Sequence, residues 1–217
     1  EVLGLGMALA AGRVTVLSGA GIDPSAFPHH DLPAAPPLRL ILVARMVRSK
    51  GVDLAVAALR QARDAGLDAT LTLIGAPDPG NPRAYGETDL AAFAAVPGVS
   101  VLGRRMDVPD LLARHHLFIL PSRGGEGLPR ALLEAAAAGR PAIVTDVPGC
   151  RDFVTDGETG FVVPAGDVEA LAGAIARAGR TDLDAMGAAA RAKVERQATV
   201  AIVGRQVIDV YRELLKP

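Results

Sequence analysis

Residues 44–51 read Ala-Arg-Met-Val-Arg-Ser-Lys-Gly, which sets Arg45, Arg48 and Lys50 beside the start of a helical pattern. A helix start offers unpaired amide donors and about half a positive charge, so added basic side chains there make a pocket suited to a diphosphate. The same cations would also serve a solvated turn. Their position directly after an apolar run favours the anion site.

A second group lies at residues 121–135, Pro-Ser-Arg-Gly-Gly-Glu-Gly-Leu-Pro-Arg-Ala-Leu-Leu-Glu-Ala. A Gly-rich stretch carries Glu126 and runs into a helical pattern bearing Glu134. Gly124, Gly125 and Gly127 permit positive φ and close backbone approach, as a loop wrapped around a ligand needs. Glu134 stands in an otherwise apolar segment and requires partners, because burying an unpaired charge is costly; a carboxylate on the helix surface is the other reading. Eight residues of helix would separate the two carboxylates by about 12 Å. A glycosidase pair needs roughly 5–9.5 Å, so hydrolysis by this pair is disfavoured unless the loop folds Glu126 back. Two carboxylates along one long ligand, accepting from its hydroxyls, fit better.

Six short apolar runs must position these groups: 38–44, 69–75, 99–102, 117–120, 142–145 and 160–163. Most are continuous rather than alternating, as strands of a parallel sheet covered on both faces are. Helical spacing fills 52–65, 88–95, 108–114 and 129–138, with Gly66 and Gly139 where C-terminal caps belong. Three further helical stretches, 168–178, 183–196 and 200–215, close the chain. The alternation predicts an α/β fold with a doubly wound, mainly parallel Rossmann-like sheet and extra C-terminal helices. Ligands of such sheets sit beyond the carboxyl ends of the strands. Arg45, Gly103-Arg104, Pro121-Ser122 and Asp146 all follow predicted strands. Residues 24–37 hold five of the 16 prolines and read as an extended linker. The short apolar stretch 13–18 before them reads as the tail of a preceding domain. The expected division is therefore 1–37 remnant and hinge, 38–199 binding domain, and 200–217 C-terminal crossover helix.

The 217 residues are 50% hydrophobic, enough for a real core, and 23 basic residues balance 24 acidic ones. That balance advertises neither nucleic acid nor an anionic membrane as partner, so a bound anion must be held locally. A single cysteine, Cys150, and the absence of Cys/His clusters favour a reducing compartment, the cytoplasm, and no metal. The apolar start, 1–12, is too short for a membrane span and lacks a signal peptide's basic flank. His115-His116 precede the fourth strand, away from the expected site, and read as surface or packing residues. Cys150 has no adjacent base in sequence and reads as small-residue packing. Arg104-Arg105 suit either a solvated turn or a lid.

The loop ARMVRSKG, the E-x7-E segment EGLPRALLEAAAAGRP, the stretch TDVPGCRDFVTDGETGFVVP and the hinge GAGID together resemble one family. It is the carboxyl-terminal, nucleotide-sugar-binding domain of the retaining, two-Rossmann-domain (GT-B) group 1, or family 4, glycosyltransferases, which build bacterial polysaccharides and lipid-linked glycans. The resemblance runs from about residue 14 to the end, and the E-x7-E segment is its most specific part. It implies that Arg45 and Lys50 hold the donor diphosphate, that Glu126 contacts the transferred sugar and that Glu134 contacts the ribose. Backbone around Gly127, Leu128 and Pro129 approaches sugar and phosphate, with Pro129 lacking an N–H. The loop at Gly103, Arg104 and Arg105 receives the base.

The expected activity is thus donor binding for retaining, metal-independent glycosyl transfer. The donor is a nucleotide sugar, with a UDP-sugar the expectation from family frequency, and it binds as substrate with no cofactor. The acceptor is a glycan or lipid-linked molecule, and the full-length protein touches the inner face of the cell membrane. The family's amino-terminal domain is nearly absent from this chain, so the chain alone is expected to bind donor without efficient transfer. The stripe Val200, Val203, Val207, Val210, Leu214 and Leu215 is expected to be partly exposed and to favour self-association. The alternatives are a degenerate nucleotide-binding or docking module and a sugar-nucleotide epimerase or hydrolase on the same architecture.

Overall fold

A computed structural model describes Leu17, residues 19–125 and residues 127–215. Glu126 and, apart from Leu17, the apolar stretch 13–18 lie outside the described residues. Six strands, β1 (Leu38–Val43), β2 (Ala69–Ile74), β3 (Val99–Val101), β4 (Leu117–Leu120), β5 (Ala142–Thr145) and β6 (Gly160–Val163), form one sheet ordered β3-β2-β1-β4-β5-β6. Every pairing is parallel. The predicted runs fall on these strands, the last three with the same bounds. Strands β4 and β5 are buried at every residue. β2, one strand in from the β3 edge, leaves Thr70 and Thr72 partly open.

Among the described residues the seven α-helices are α1 (Val52–Asp64), α2 (Glu87–Ala94), α3 (Val108–Ala113), α4 (Arg130–Ala137), α5 (Val168–Ala178), α6 (Leu183–Gln197) and α7 (Val200–Leu214). One core layer joins α1 and α5 to the sheet through Leu54, Leu59, Leu171 and Ile175. The opposite layer seats Leu112 of α3, Leu132 and Leu133 of α4, and Val194 of α6 against Ile41 and Phe118. Each fully buried Leu, Ile or Phe contributes about 1.5–3 kcal/mol, and both faces of the sheet collect that contribution. The chain winds outward through β2 and β3 and then returns to start β4 beside β1, so strand order reverses between β1 and β4. That reversal opens a crevice at the strands' carboxyl ends, and both motifs of interest leave from it.

The proline-rich segment is extended but not loose. Phe27 is buried, and Arg191 donates from Nη1 to the carbonyls of Phe27 and Ala137. Arg140, the Arg of the Gly-Arg-Pro sequence, is fully buried at the amino ends of the strands and donates to Leu112 O at 3.0 Å and His30 O at 2.8 Å. Side chains distant in sequence thus strap the segment to the domain, which its local composition could not reveal. On α7 only Val203 is buried; Val200, Ile208, Tyr211, Leu214 and Leu215 are exposed. Ile22 of the hinge exchanges backbone hydrogen bonds with Ala198 and Val200 at the helix start.

His115 and His116 are packing residues at the end opposite the crevice. The Nδ1–H of His115 donates to Leu111 O at 2.6 Å, leaving Nε2 to accept from the Thr72 hydroxyl at 2.8 Å. His116 Nδ1 accepts from the Arg39 N–H at 2.9 Å, and its Nε2–H donates to Pro33 O at 2.8 Å. Both rings are therefore held neutral, and burial lowers both pKa values from 6.5. A histidine with a depressed folded pKa contributes stability that is full above its unfolded value and is lost as pH falls through the folded value. The Tm should hold from pH 8 to about 6.5 and decline below it. His116→Asn should flatten that decline, because protonated Nδ1 would face the Arg39 N–H; a Tm independent of pH between 7 and 5.5 would refute it.

Candidate functional site

The loops after β1 and β2 and the starts of α3 and α4 enclose a cleft of about 600 Å³. Arg45, Arg104, Arg105 and Arg130 face it with Asp78 and Glu134, so four guanidiniums oppose two carboxylates on a chain whose net charge is −1. The balanced composition thus hides a local cationic surface. Arg45 Nη1 donates to Asp78 Oδ2 at 2.6 Å. Its charge is therefore paired rather than unopposed, and Asp78, after β2 in Ala76-Pro77-Asp78-Pro79, is a site residue the sequence reading missed. Arg105 forms a bidentate pair with Asp107 at 2.8 and 2.6 Å, which pins the loop after β3; the side-chain hydrogen bond to Asp107 raises its pKa further.

Glu134 has the partner its apolar surroundings require. Its Oε1 accepts from Arg130 Nε at 3.0 Å, one turn earlier on α4, and its side chain is 16% exposed. The i,i+4 spacing was readable in the sequence, whereas the direction of that helix face toward the cleft was not. Arg45, Arg104 and Glu134 are thus brought to one cleft. Gly103 lies just behind it, its carbonyl accepting from the Gly75 N–H at 2.9 Å.

Lys50 ends a 3-10 turn, Arg48–Lys50, and Gly51 is the N-cap of α1. This turn adjoins the Gly-rich loop, since the Arg123 N–H donates to Ser49 O at 2.8 Å. Gly127, Leu128 and Pro129 sit on the β5 side of that loop and are not among the cleft's lining residues. A Cβ on Gly149 would come within 2.1 Å of Gly127 O, and Leu128 packs toward Gly19. Pro129 is the N-cap of α4. Cys150 is fully buried within the α4 and α6 core layer, as a packing residue should be.

Behind the Gly-rich loop a second cleft of about 690 Å³ is lined by Arg48, Ser49, Asp53, Arg83, Arg123, Gly124 and Gly125. There Arg123 meets Asp53, and the buried Tyr85 hydroxyl donates to the same carboxylate at 2.6 Å. Burial works to raise the Asp53 carboxyl, but the Arg123 and Tyr85 hydrogen bonds outweigh it and hold it below the usual range. Burial and the Asp53 carboxylate push Tyr85 up to about 12. This network was not anticipated, because its members lie 32 and 70 residues apart.

The sequence model of the family described as glycosyl transferases group 1 matches residues 37–180. The chain belongs to the group 1 glycosyltransferases. It is 31% identical over 187 residues to the amylovoran biosynthesis glycosyltransferase AmsK of Erwinia amylovora, covering 82% of this chain and 45% of that protein. Among solved structures it superimposes on Anabaena HepE in complex with UDP-glucose, with a TM-score of 0.74, 21% identity, and coverage of 89% of this chain and 56% of that one. Sucrose-phosphate synthase from Thermosynechococcus elongatus gives a TM-score of 0.73 at 26% identity, with 89% and 51% covered. The all-parallel sheet is one half of the GT-B architecture of such neighbours, and the chain spans about half the length of the curated relatives it matches. Among the described residues no helix is long and apolar enough to cross a membrane, and no three His, Cys, Asp or Glu side chains converge as metal ligands.

Proposed function

We propose that this domain holds a nucleotide-sugar donor, expected to be a UDP-sugar, for retaining, metal-independent glycosyl transfer to a glycan or lipid-linked acceptor. The observation that carries this reading is the convergence of Arg45, Arg104, Arg105 and Arg130 with Glu134 on one cleft at the strands' carboxyl ends. In this reading Arg45 and Lys50 stabilise the charge that builds on the departing nucleoside diphosphate, and Glu134 accepts from the ribose hydroxyls. Glu126 meets the transferred sugar, backbone at Gly127, Leu128 and Pro129 approaches sugar and phosphate, and Gly103-Arg104 flank the base. Preorganised cations aimed at developing negative charge are an effective form of electrostatic catalysis, and they supply the neutralisation a metal would otherwise provide.

The chain supplies one wall of a two-domain cleft, so transfer by it alone should be slow for want of a held acceptor. The exposed face of α7 fits contact with a further domain of the protein or with a second copy. Titration of UDP, GDP, ADP and dTDP in EDTA, followed by thermal shift, tests the reading. One of the four should raise the Tm equally with and without magnesium, since a ligand at 100 times its Kd adds about 2.7 kcal/mol to native stability. Strict dependence on magnesium would overturn metal independence, and a flat response to all four would favour a docking module.

A further inference from the structure

The two loops that carry the proposed donor ligands are locked to each other by residues that lie behind the cleft. Arg123 Nη1 and Nη2 donate to the two Asp53 oxygens at 2.7 and 2.8 Å. Nη1 also donates to Arg48 O at 2.8 Å, and the Arg123 backbone N–H donates to Ser49 O. Tyr85 completes the Asp53 shell and carries the Arg48 guanidinium 5.2 Å above its ring. Gly51, between Lys50 and α1, lies so close to Pro121 that a Cβ there would come within 1.9 Å of the Pro121 carbonyl oxygen.

The Gly-rich loop cannot supply this rigidity itself. Gly124 and Gly125 have no side chains to pack, and a Cβ on either would meet nothing within 4 Å. Order must come from the flanks, where Gly149 abuts Gly127 on one side and Arg123 is clamped on the other. Ligand-binding groups need placement within about 0.5 Å to hold productive geometry, which bare glycine backbone does not provide.

We infer that Asp53, Arg123 and Tyr85 are positioning residues that fix the spacing between the cationic loop after β1 and the Gly-rich loop after β4, and through it the affinity for the donor's diphosphate and sugar. The inference rests on the donor-site reading for its ligand, and on geometry alone for the brace. A solvated ion pair would contribute little. This pair is half-buried, bidentate and shared with a buried hydroxyl, so its loss frees both loops.

Two measurements on Asp53→Asn test it. Amide hydrogen exchange across 45–51 and 121–129 should accelerate at least about tenfold, with exchange in β4 and β5 unchanged. The Kd for UDP-glucose should rise about tenfold while that for UMP, which lacks the β-phosphate and sugar, moves less than about twofold. Arg123→Lys, which keeps one contact, should fall between wild type and Asp53→Asn, and it serves as the test variant if Asp53→Asn fails to fold. Unchanged loop exchange, or equal losses for UMP and UDP-glucose, would overturn the brace. Wild-type protein that binds neither ligand would sink the donor reading instead, and loop exchange would still decide whether the brace exists.

Discussion

Glu134→Ala should raise the Kd for a nucleoside diphosphate ten- to a hundredfold, while Glu126→Ala should leave that affinity nearly unchanged and weaken only the full nucleotide sugar. The reason is reach. Glu134 lines the cleft from the second turn of α4, fixed by Arg130, where a ribose common to both ligands would lie. Glu126 precedes the helix in sequence and, in the proposed reading, would meet the sugar alone. A hydrogen bond to a charged group contributes about 1.5–3 kcal/mol, and each 1.4 kcal/mol is about a factor of ten in affinity. Calorimetric titration of both ligands against both variants reads the division directly, and equal losses in all four combinations would show the roles wrongly assigned.

Gly51→Ala is expected to destabilise the fold by about 2–4 kcal/mol and to weaken donor binding with it. Gly51 has a φ of 66°, a left-handed conformation that costs an L residue roughly 1–2 kcal/mol. The new methyl would also lie 1.9 Å from Pro121 O, so the loops after β1 and β4 would have to part. Gly66 provides the control: its φ is 91°, yet nothing lies within 4 Å of an added Cβ. Gly66→Ala should cost only the conformational part, about 1–2 kcal/mol, and leave ligand affinity alone. Denaturant unfolding of both variants separates strain from collision. Equal destabilisation would mean that φ alone matters and that the two loops do not depend on close contact.

The order of elements was legible because it is written in local periodicity. Continuous apolar runs at 117–120, 142–145 and 160–163 are short and alternate with helical segments, which favours buried strands, and the capping glycines Gly66 and Gly139 end α1 and α4 where helical spacing stops. The motifs were likewise legible as motifs, since a Gly-rich stretch followed by Glu134 in an apolar helix is unusual in the chain itself. Which groups share a cleft was not legible. Arg45 and Glu134 stand on different strand–helix units, and only the reversal of strand order between β1 and β4 brings their loops together.

What the sequence determined by itself was therefore the α/β class, the sites of the two loops, and the packing character of Cys150, while it left the histidine pair open between surface and packing. These follow from burial and backbone preference, which act between near neighbours in the chain. The tertiary structure decided the partners: Asp78 for Arg45, Asp53 and Tyr85 for Arg123, and the buried Arg140 that straps the proline-rich segment to the core. Ion pairs and hydrogen bonds reach about 3 Å, so only the folded path of the chain determines which charges meet.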